Sequence, residues 1–241
     1  MKKLTVLFLA ILVITNISFS QTNTTKSPKR EKIFFGLSVG PSFPESDYKN
    51  KEFTLNSGYA KVGYKIQAYG GINLIGVLGV SILGFTNYNT TNTENLKNNI
   101  TSTYPGNNWI DNSKSWQLFG GMGGITLYYP LDKKLTLDVK IMSGLLNAIS
   151  PELLFVSGSN TYKLESQTTN SFSYMTSIGL NVNVGQNVSL TTSMDFMSSS
   201  PSFNNVKTTT SINGVNNETT TSFSREINII NLMVGFRYSI R

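Results

Sequence analysis

The C-terminal stretch from Ile230 to Arg241 alternates between apolar and polar side chains almost without interruption. The apolar side chains that share one parity are Leu232, Val234, Phe236, Tyr238 and Ile240. A period of two predicts a β-strand with one apolar face and one polar face. The stretch also reaches the roughly 9–11 residues that a tilted strand needs to cross a bilayer. This end of the chain therefore favours a strand that lies in a membrane.

The N-terminus has the pattern of a secretory signal peptide. Lys2 and Lys3 precede an apolar run from Leu4 to Ile14, and Ser18-Phe19-Ser20 places small residues where a signal peptidase reads them. The run is too short for a spanning helix, which needs about 20 apolar residues. We therefore predict that residues 1–20 are a cleaved signal peptide, that 21–32 are a periplasmic linker and that 33–241 form the folded domain.

The amino-acid composition excludes several kinds of chemistry. The chain has no cysteine and no histidine. Disulfides, thiolate metal sites, histidine zinc sites and Ser-His-Asp or Cys-His nucleophiles are therefore excluded. We predict no enzymatic activity, no cofactor and no metal site. The formal net charge of +7 does not predict nucleic-acid binding, because the basic residues neither cluster nor interleave with aromatic residues.

Alternation of the same kind recurs along the chain, although some segments are rich in glycine. The strand candidates are 35–40, 60–68, 77–88, 116–129, 135–142, 174–184, 188–196 and 230–241. About eight weakly alternating segments predict an all-β fold. The fold expected is an antiparallel transmembrane barrel of about eight strands. With the signal peptide, they predict a location in the bacterial outer membrane.

The spacers between these segments alternate in length. Those around 42–57, 89–115, 148–171 and 198–225 are long, whereas 70–76, 130–134 and 185–187 are short. Outer-membrane barrels have long extracellular loops and short periplasmic turns, so we expect the long spacers outside the cell. The spacer 148–171 is compatible with a hairpin that extends above the membrane. The Asn-, Thr- and Ser-rich stretches 89–103 and 198–224 are interpreted as solvated surface loops.

Charged residues are scarce inside the predicted strands, and each of them has the parity opposite to the apolar side chains. They are Lys61, Lys65, Asp138, Lys140, Asp195 and Arg237. Because a cation facing lipid costs about 2–4 kcal/mol at mid-membrane, these side chains are predicted to face the barrel lumen. A barrel of about eight strands is filled by side chains, so we interpret them as a structural ion-pair network. Asp138 and Asp195 are the expected partners of Arg237, and a polar pathway or ligand site is the alternative.

The aromatic and glycine residues have plain structural explanations. Interfacial girdles account for most of the aromatic residues near strand ends, which are Tyr64, Tyr69, Tyr88, Trp116, Tyr128, Tyr129, Tyr174, Phe196 and Tyr238. Trp109 lies in a long spacer and could be a platform for a sugar. Gly120, Gly121, Gly123 and Gly124 lack the spacing and the lysine of a phosphate-binding loop, so they are predicted to lie in a strand.

Three segments resemble a known group of proteins. They are the Ser18-Phe19-Ser20-Gln21 junction, the turn from Tyr129 to Leu135 and the closing stretch from Leu232 to Ser239. The chain is similar to small outer-membrane β-barrel proteins of the Bacteroidetes type, in the OmpA-like or porin-like class. This resemblance implies a barrel fold and a group without one shared activity.

The leading functional hypothesis is a non-enzymatic outer-membrane barrel with a structural or surface-recognition role. A small channel or a component of a secretion or gliding apparatus is the alternative, and a membrane-embedded lipid-modifying enzyme ranks last. The expected partners are outer-membrane lipid, lipopolysaccharide and the barrel-assembly machinery. A surface ligand could bind through the spacers 89–115 and 198–225.

Overall fold

The computed structural model describes residues 33–52 and 57–240. The predicted signal peptide and linker therefore lie outside the described residues. Within the described ranges the chain forms a short 3₁₀ helix (Ser46–Tyr48), one α-helix, α1 (Glu94–Thr103), and a series of strands. The strands in chain order are β1 (Ile33–Glu45), β2 (Ala60–Ile75), β3 (Leu78–Thr91), β4 (Ile110–Asp111), β5 (Trp116–Pro130), β6 (Leu135–Ile149), β7 (Leu153–Ser157), β8 (Asn160–Leu164), β9 (Thr168–Asn183), β10 (Val188–Ser199), β11 (Ser202–Ile212), β12 (Val215–Ser224) and β13 (Ile227–Ile240).

Eight of these strands form a closed antiparallel barrel, which confirms the predicted fold class. Their order around the barrel is β1-β13-β10-β9-β6-β5-β3-β2. The first and last strands close it, with Phe35 opposite Tyr238 and Leu37 opposite Phe236. Closure pairs the edge strands with each other, so the barrel presents no open edge to its surroundings.

The strands form because their side chains alternate between two environments. In β13 the side chains of Met233 and Arg237 are buried, whereas Leu232 and Phe236 are exposed. The other barrel strands follow the same rule, so apolar side chains such as Ile82 cover the outer wall. The two faces predicted for the C-terminal strand are therefore confirmed. Among the described residues, no helix is both long and apolar enough to span a membrane.

Glycines inside the barrel permit close packing of neighbouring strands. A Cβ atom at Gly124 would collide with the carbonyl oxygen of Ile141, and one at Gly144 would collide with that of Gly121. These positions accept only a hydrogen where the neighbouring backbone approaches closely. The glycine-rich segment lies within β5, as predicted from its sequence.

A second sheet lies at one end of the barrel. Two of the spacers that were interpreted as plain surface loops contribute to this end of the barrel, so that interpretation was wrong. The strand order of this sheet is β12-β11-β8-β7-β4, and it is built from the connections that span 92–115, 150–167 and 200–226. These three connections are called the cap below. The stretch 89–103 contains α1, and 198–224 contains the hairpin β11–β12. The β7–β8 hairpin lies within 148–171, where the sequence was compatible with one.

Buried apolar side chains hold the cap together and join it to the barrel. One cluster contains Leu96 and Ile100 of α1 with Trp109, Leu153 and Phe155. Another runs from the barrel interior into the cap. Its members at the junction include Trp116, Phe203, Val206, Ile227 and Ile229. The cap is thus a folded layer with its own core, and it positions side chains over the end of the barrel.

Candidate functional site

Two places in the described structure bury charged side chains, and the first is the barrel interior. Lys65 of β2 lies 2.9 Å from the carboxylate of Asp195 on β10, and both side chains are almost fully buried. The other carboxylate oxygen of Asp195 accepts hydrogen bonds from the hydroxyls of Ser177 and Ser193, at 2.8 and 3.0 Å. A buried ion pair needs such additional hydrogen bonds to offset the loss of hydration. This arrangement satisfies both charges without a ligand.

A second ion pair lies in the same interior. Lys140 Nζ lies 3.1 Å from Asp138 Oδ1 on the same strand. Asn181 donates a hydrogen bond of 2.8 Å to the other oxygen of Asp138. The ammonium group of Lys140 also lies 5.5 Å from the ring centroid of Tyr69, within range of a cation–π interaction. The two aspartates therefore form their ion pairs with lysines.

Arg237 occupies a different environment from the one that was predicted. Its guanidinium carbon lies 3.9 Å from the ring centroid of Phe34 and 5.1 Å from that of Tyr128. The side chain is buried. Stacking suits a planar, weakly hydrated guanidinium group better than it would suit a lysine. The prediction placed Arg237 beside Asp138 and Asp195, whereas the ion pairs of those aspartates are with Lys140 and Lys65.

Lys61 is not part of this interior group, because its side chain is exposed. The register between β2 and β3 shifts between Ala60 and Gly63. A shift of this kind breaks the simple alternation from which the inward direction was predicted. The structure thus brings five of the six predicted side chains inside the barrel and leaves Lys61 outside.

One small void lies beside the interior ion pairs. A void of about 10 Å³ lies among Lys140, Met175, Ser177 and Asp195. That is about the space that a single water molecule occupies. Within the described ranges, no group of histidine, cysteine, aspartate or glutamate side chains has the arrangement of a metal site. Of the two ion pairs, Lys65–Asp195 joins β2 to β10, and Lys140–Asp138 lies within β6.

The second place is a cavity of about 400 Å³ between the cap and the barrel end, called the cap cavity below. Its size lies within the range of small-molecule binding sites. Its lining residues are Ser57, Gly58, Tyr59, Leu96, Trp116, Ser150, Pro151, Leu153, Tyr162, Leu164, Val206, Thr208, Thr210, Thr219, Thr221, Phe223 and Arg225. The walls are therefore aromatic, aliphatic and hydroxyl-bearing.

The cavity wall is fixed at its base by Trp116, the first residue of β5. The indole is fully buried, and its Nε1 donates a hydrogen bond of 2.8 Å to the carbonyl oxygen of Gly58. The rings of Tyr48 and Phe203 pack edge-on against it, with centroid distances of 5.4 and 5.8 Å. A side chain held on three sides in this way gives the cavity a preformed wall.

Arg225 follows β12 and brings a cation to this wall. It is only 7% exposed, and its guanidinium carbon lies 4.7 Å from the ring centroid of Phe223 and 5.5 Å from that of Trp116. Burial lowers the pKa of Arg225 to about 10, although the nearby Tyr59, Tyr48 and Asp47 act in the opposite direction. The group is therefore still a cation at neutral pH.

The sequence analysis missed the cap cavity, and two of its aromatic interpretations were wrong. Trp116 was assigned to an interfacial girdle, but it lines the cavity, and Trp109 was considered as a sugar platform, but it is 1% exposed in the cap core. Tyr69 and Tyr128 also turn toward the barrel interior. The parity of Trp116 within β5, which it shares with buried Leu118 and Met122, is the signal that could have shown this.

Comparisons with known proteins support the fold alone. No protein-family profile and no curated sequence matches the chain. Among solved structures, Neisserial surface protein A matches with a TM-score of 0.52 at 10% identity, over 86% of this chain and 97% of that one. Outer membrane protein OprG from Pseudomonas aeruginosa matches with a TM-score of 0.49 at 9% identity, over 90% and 100% of the two chains. The closed eight-stranded barrel and the match to Neisserial surface protein A together show the fold of the small barrels of outer membranes.

Proposed function

We propose that this chain is a non-enzymatic outer-membrane protein whose barrel is a closed support and whose cap acts in recognition at the cell surface. The observation that carries the proposal is the contrast between a barrel interior occupied by paired charges and a cap that contains a preformed cavity. Binding sites are usually concave and preformed, with a few placed polar groups. The cap cavity, with hydroxyl-bearing walls and the side chain of Arg225, has this character.

The outer wall supports the membrane part of the proposal. Exposed apolar side chains such as Leu37, Ile82 and Phe236 would be costly in water as a continuous surface, but they suit contact with lipid. We propose outer-membrane lipid and lipopolysaccharide as partners of this wall, and the barrel-assembly machinery as the partner during insertion. Nucleic acid is not proposed as a partner. The segments 89–115 and 198–225 supply much of the cap, and they are the proposed contact with a surface ligand.

The closed barrel is tested by conductance of the purified full-length protein in planar bilayers. We expect no stable, large conductance, because the Lys65–Asp195 pair joins β2 to β10 across the interior. A stable, large conductance would instead favour the channel alternative and overturn this part of the proposal.

The position of the cap is tested by epitope tags on intact cells. A tag inserted between Asn213 and Gly214, at the tip of the β11–β12 hairpin, should bind antibody without permeabilisation. A matched tag between Asp132 and Lys133, in the turn between β5 and β6, should bind antibody only after permeabilisation. The reverse result would place the cap in the periplasm and would rule out surface recognition.

The recognition role is tested by co-purification from native membranes. The comparison is between the native chain and a variant in which residues 202–224 are replaced by a short Asn-Gly turn. A partner or ligand that is recovered with the native chain and lost from the trimmed variant supports the proposal. Identical recovery with both chains contradicts it, provided that the trimmed barrel keeps its heat-dependent shift on gel electrophoresis.

A further inference from the structure

We propose that the cap cavity binds a neutral molecule that has an apolar body at one end and a hydroxyl or carbonyl group at the other. This inference rests on the proposed function of the cap and names the ligand class for it. Three observations carry the inference. They are the register of the cap strands, the change from hydroxyl-bearing to apolar side chains across those strands, and the availability of the threonine hydroxyl groups.

One wall of the cavity is a single face of the second sheet. Thr219 of β12 lies opposite Thr208 of β11. Thr208 in turn lies opposite Leu164 of β8, and Leu164 lies opposite Leu153 of β7. All four side chains line the cavity, so they form one row across four strands. Because neighbouring strands are about 4.8 Å apart, the row spans about 14 Å. It therefore gives a small molecule a continuous surface to lie on.

The row changes in character from one end to the other. Its β11–β12 end carries threonine side chains, and Thr210 and Thr221 add two more to the same face. Its β7–β8 end carries Leu153 and Leu164, with the ring of Tyr162 on the same face. An apolar group that binds over the leucines is removed from water, which favours binding. A ligand that matches this row therefore has one polar end and one apolar end.

The threonine hydroxyl groups at the polar end are available to a ligand. Among the described residues, the hydroxyl groups of Thr208, Thr210, Thr219 and Thr221 have no hydrogen-bond partner in the chain. A hydroxyl group both donates and accepts, so these groups can bond to an alcohol or to a carbonyl. They offer no charge that could balance an ionised group, and the burial of an unpaired charge is costly. The threonine end of the cavity therefore favours a neutral ligand.

The charged side chains near this wall take no part in the proposed contacts. Arg225 borders the cavity, but it packs on the rings of Phe223 and Trp116 and already interacts within the chain. Lys207 and Glu218 have the parity of the other face of the β11–β12 hairpin, where they form an ion pair of 2.8 Å. The proposed hydrogen bonds therefore come from the threonine side chains.

The experiment uses phenethyl alcohol, which has both ends, and three analogues that each change one end. Ethylbenzene lacks the hydroxyl group, phenethylammonium replaces it with a cation, and glycerol lacks the apolar body. The full-length protein is held in lipid nanodiscs, and empty nanodiscs measure partition into lipid. The variant Trp109→Phe leaves Trp116, which lines the cavity, as the only indole, because the chain has two tryptophans. Fluorescence of Trp116 then reports on the site, and calorimetry on the native chain checks the affinities without a substitution.

We expect saturable binding of phenethyl alcohol and weaker binding of the three analogues. Thr208→Val combined with Thr219→Val keeps the branched shape of both side chains and removes their hydroxyl groups. This double variant should weaken the binding of phenethyl alcohol by about two- to tenfold for each hydrogen bond lost, and it should not weaken that of ethylbenzene. Thr209→Val combined with Thr220→Val is the matched control, because these threonines have the parity of the other face of the same two strands. The control should leave both affinities unchanged.

Three results would overturn the inference. They are the absence of saturable binding of phenethyl alcohol, an analogue that binds as tightly as phenethyl alcohol, and an unchanged affinity for phenethyl alcohol in the variant that lacks the hydroxyl groups of Thr208 and Thr219. None of these decides the proposed function, because the tag and co-purification experiments do not depend on an alcohol. If the trimmed cap loses a partner while phenethyl alcohol does not bind, the recognition role stands and the ligand class proposed here is wrong.

Discussion

The barrel interior and the cap cavity both bury cations, but they do so in opposite ways. Lys65 in the barrel lies 2.9 Å from Asp195, and the void near these side chains is about 10 Å³. Arg225 in the cap lies against aromatic rings, and it borders a cavity of about 400 Å³. The charged side chains in the barrel interior are therefore closely packed, whereas an open volume lies beside Arg225 in the cap.

This difference shows why a buried charge alone does not mark a functional site. Within the barrel, each lysine of the two ion pairs has a carboxylate partner on the protein, and the Lys65–Asp195 pair joins two strands. In the cap, Arg225 borders an open volume, and a concave volume of this size is the kind of place where we propose recognition.

The largest effect is expected from breaking the buried pair in the barrel. Asp195→Asn removes the carboxylate that faces Lys65 and leaves an uncompensated cation in the interior. We expect the free energy of unfolding to fall by about 3–5 kcal/mol, as measured by urea unfolding in a lipid environment. Lys61→Met is the matched control, because Lys61 is exposed and its removal should change stability by less than about 0.5 kcal/mol.

A double variant separates charge compensation from packing. Replacing the pair by Lys65→Met and Asp195→Leu removes both charges, so it should recover most of the stability that Asp195→Asn loses. If the double variant is as unstable as the single one, the interior is sensitive to shape rather than to the charge balance that we infer.

A smaller and more local effect is expected in the cap core. Ile100→Ala on α1 creates a cavity in the cluster that contains Trp109 and Phe155, and it should cost about 3 kcal/mol. Limited proteolysis should then cut 92–115 faster, while the barrel keeps its stability. Thr101→Ala is the control, since Thr101 is exposed on the same helix. Equal loss in barrel and cap would mean that the two regions do not unfold separately.

Acid should loosen the attachment between α1 and β4. Burial raises the pKa of Asp111, but hydrogen bonds from Ser113 and Thr93 more than offset this and lower the pKa below its ordinary value of 3.8. The stabilisation is therefore present above that value and is lost as pH falls through the lowered pKa. Because the side chain is partly exposed, we expect less than about 1 kcal/mol.

The measurement for this prediction is proteolysis of the cap by an acid-active protease between pH 5 and 2, where carboxylates titrate. Asp111→Asn should flatten the pH dependence. Glu152 titrates in the same range, since Lys163 and Lys114 lower its pKa, so the comparison is made with Glu152→Gln present in both chains. A pH dependence that Asp111→Asn leaves unchanged would assign the effect to another group.

The smallest effect is expected from the surface ion pairs of the cap. Glu152 lies 3.2 Å from both Lys114 and Lys163, but all three side chains are partly exposed to solvent. Glu152→Gln should therefore cost only about 0.5 kcal/mol, and the cost should shrink as salt is added. Thermal unfolding of both chains at low and high salt measures this loss of stability. A loss that does not change with salt would show that Glu152 is more buried than described.

The barrel could be predicted from sequence because its rule is local. A period of two places one face in lipid and the other inside, and the closing strand Ile227–Ile240 follows that rule along most of its length. The same parity correctly turned Lys65 and Asp195 inward. The parity rule failed at Lys61, because the register shift there depends on the neighbouring strand. Parity also could not identify which cation would pair with each aspartate.

The cap was harder to predict because the two strands of its longest hairpin, β11 and β12, are mostly polar on both faces. The β11–β12 hairpin is rich in threonine, so it lacks an apolar alternation, although threonine favours strands. Its turn has positive φ angles at Asn213 and Gly214, and an Asn-Gly pair is a strong hairpin signal that the sequence analysis did not use. Arg225 belongs to no alternating segment, so only the three-dimensional structure places it at a cavity.

We propose that ligand recognition belongs to the cap and not to the barrel interior. The sharpest test is hydrogen exchange of the full-length protein in nanodiscs, with and without the partner that is recovered with the native chain from native membranes. We expect slower exchange in the peptides that cover 150–164 and 202–225, with β2 and β10 unchanged around Lys65 and Asp195. Slower exchange confined to those barrel segments, with no change in the cap, would contradict it.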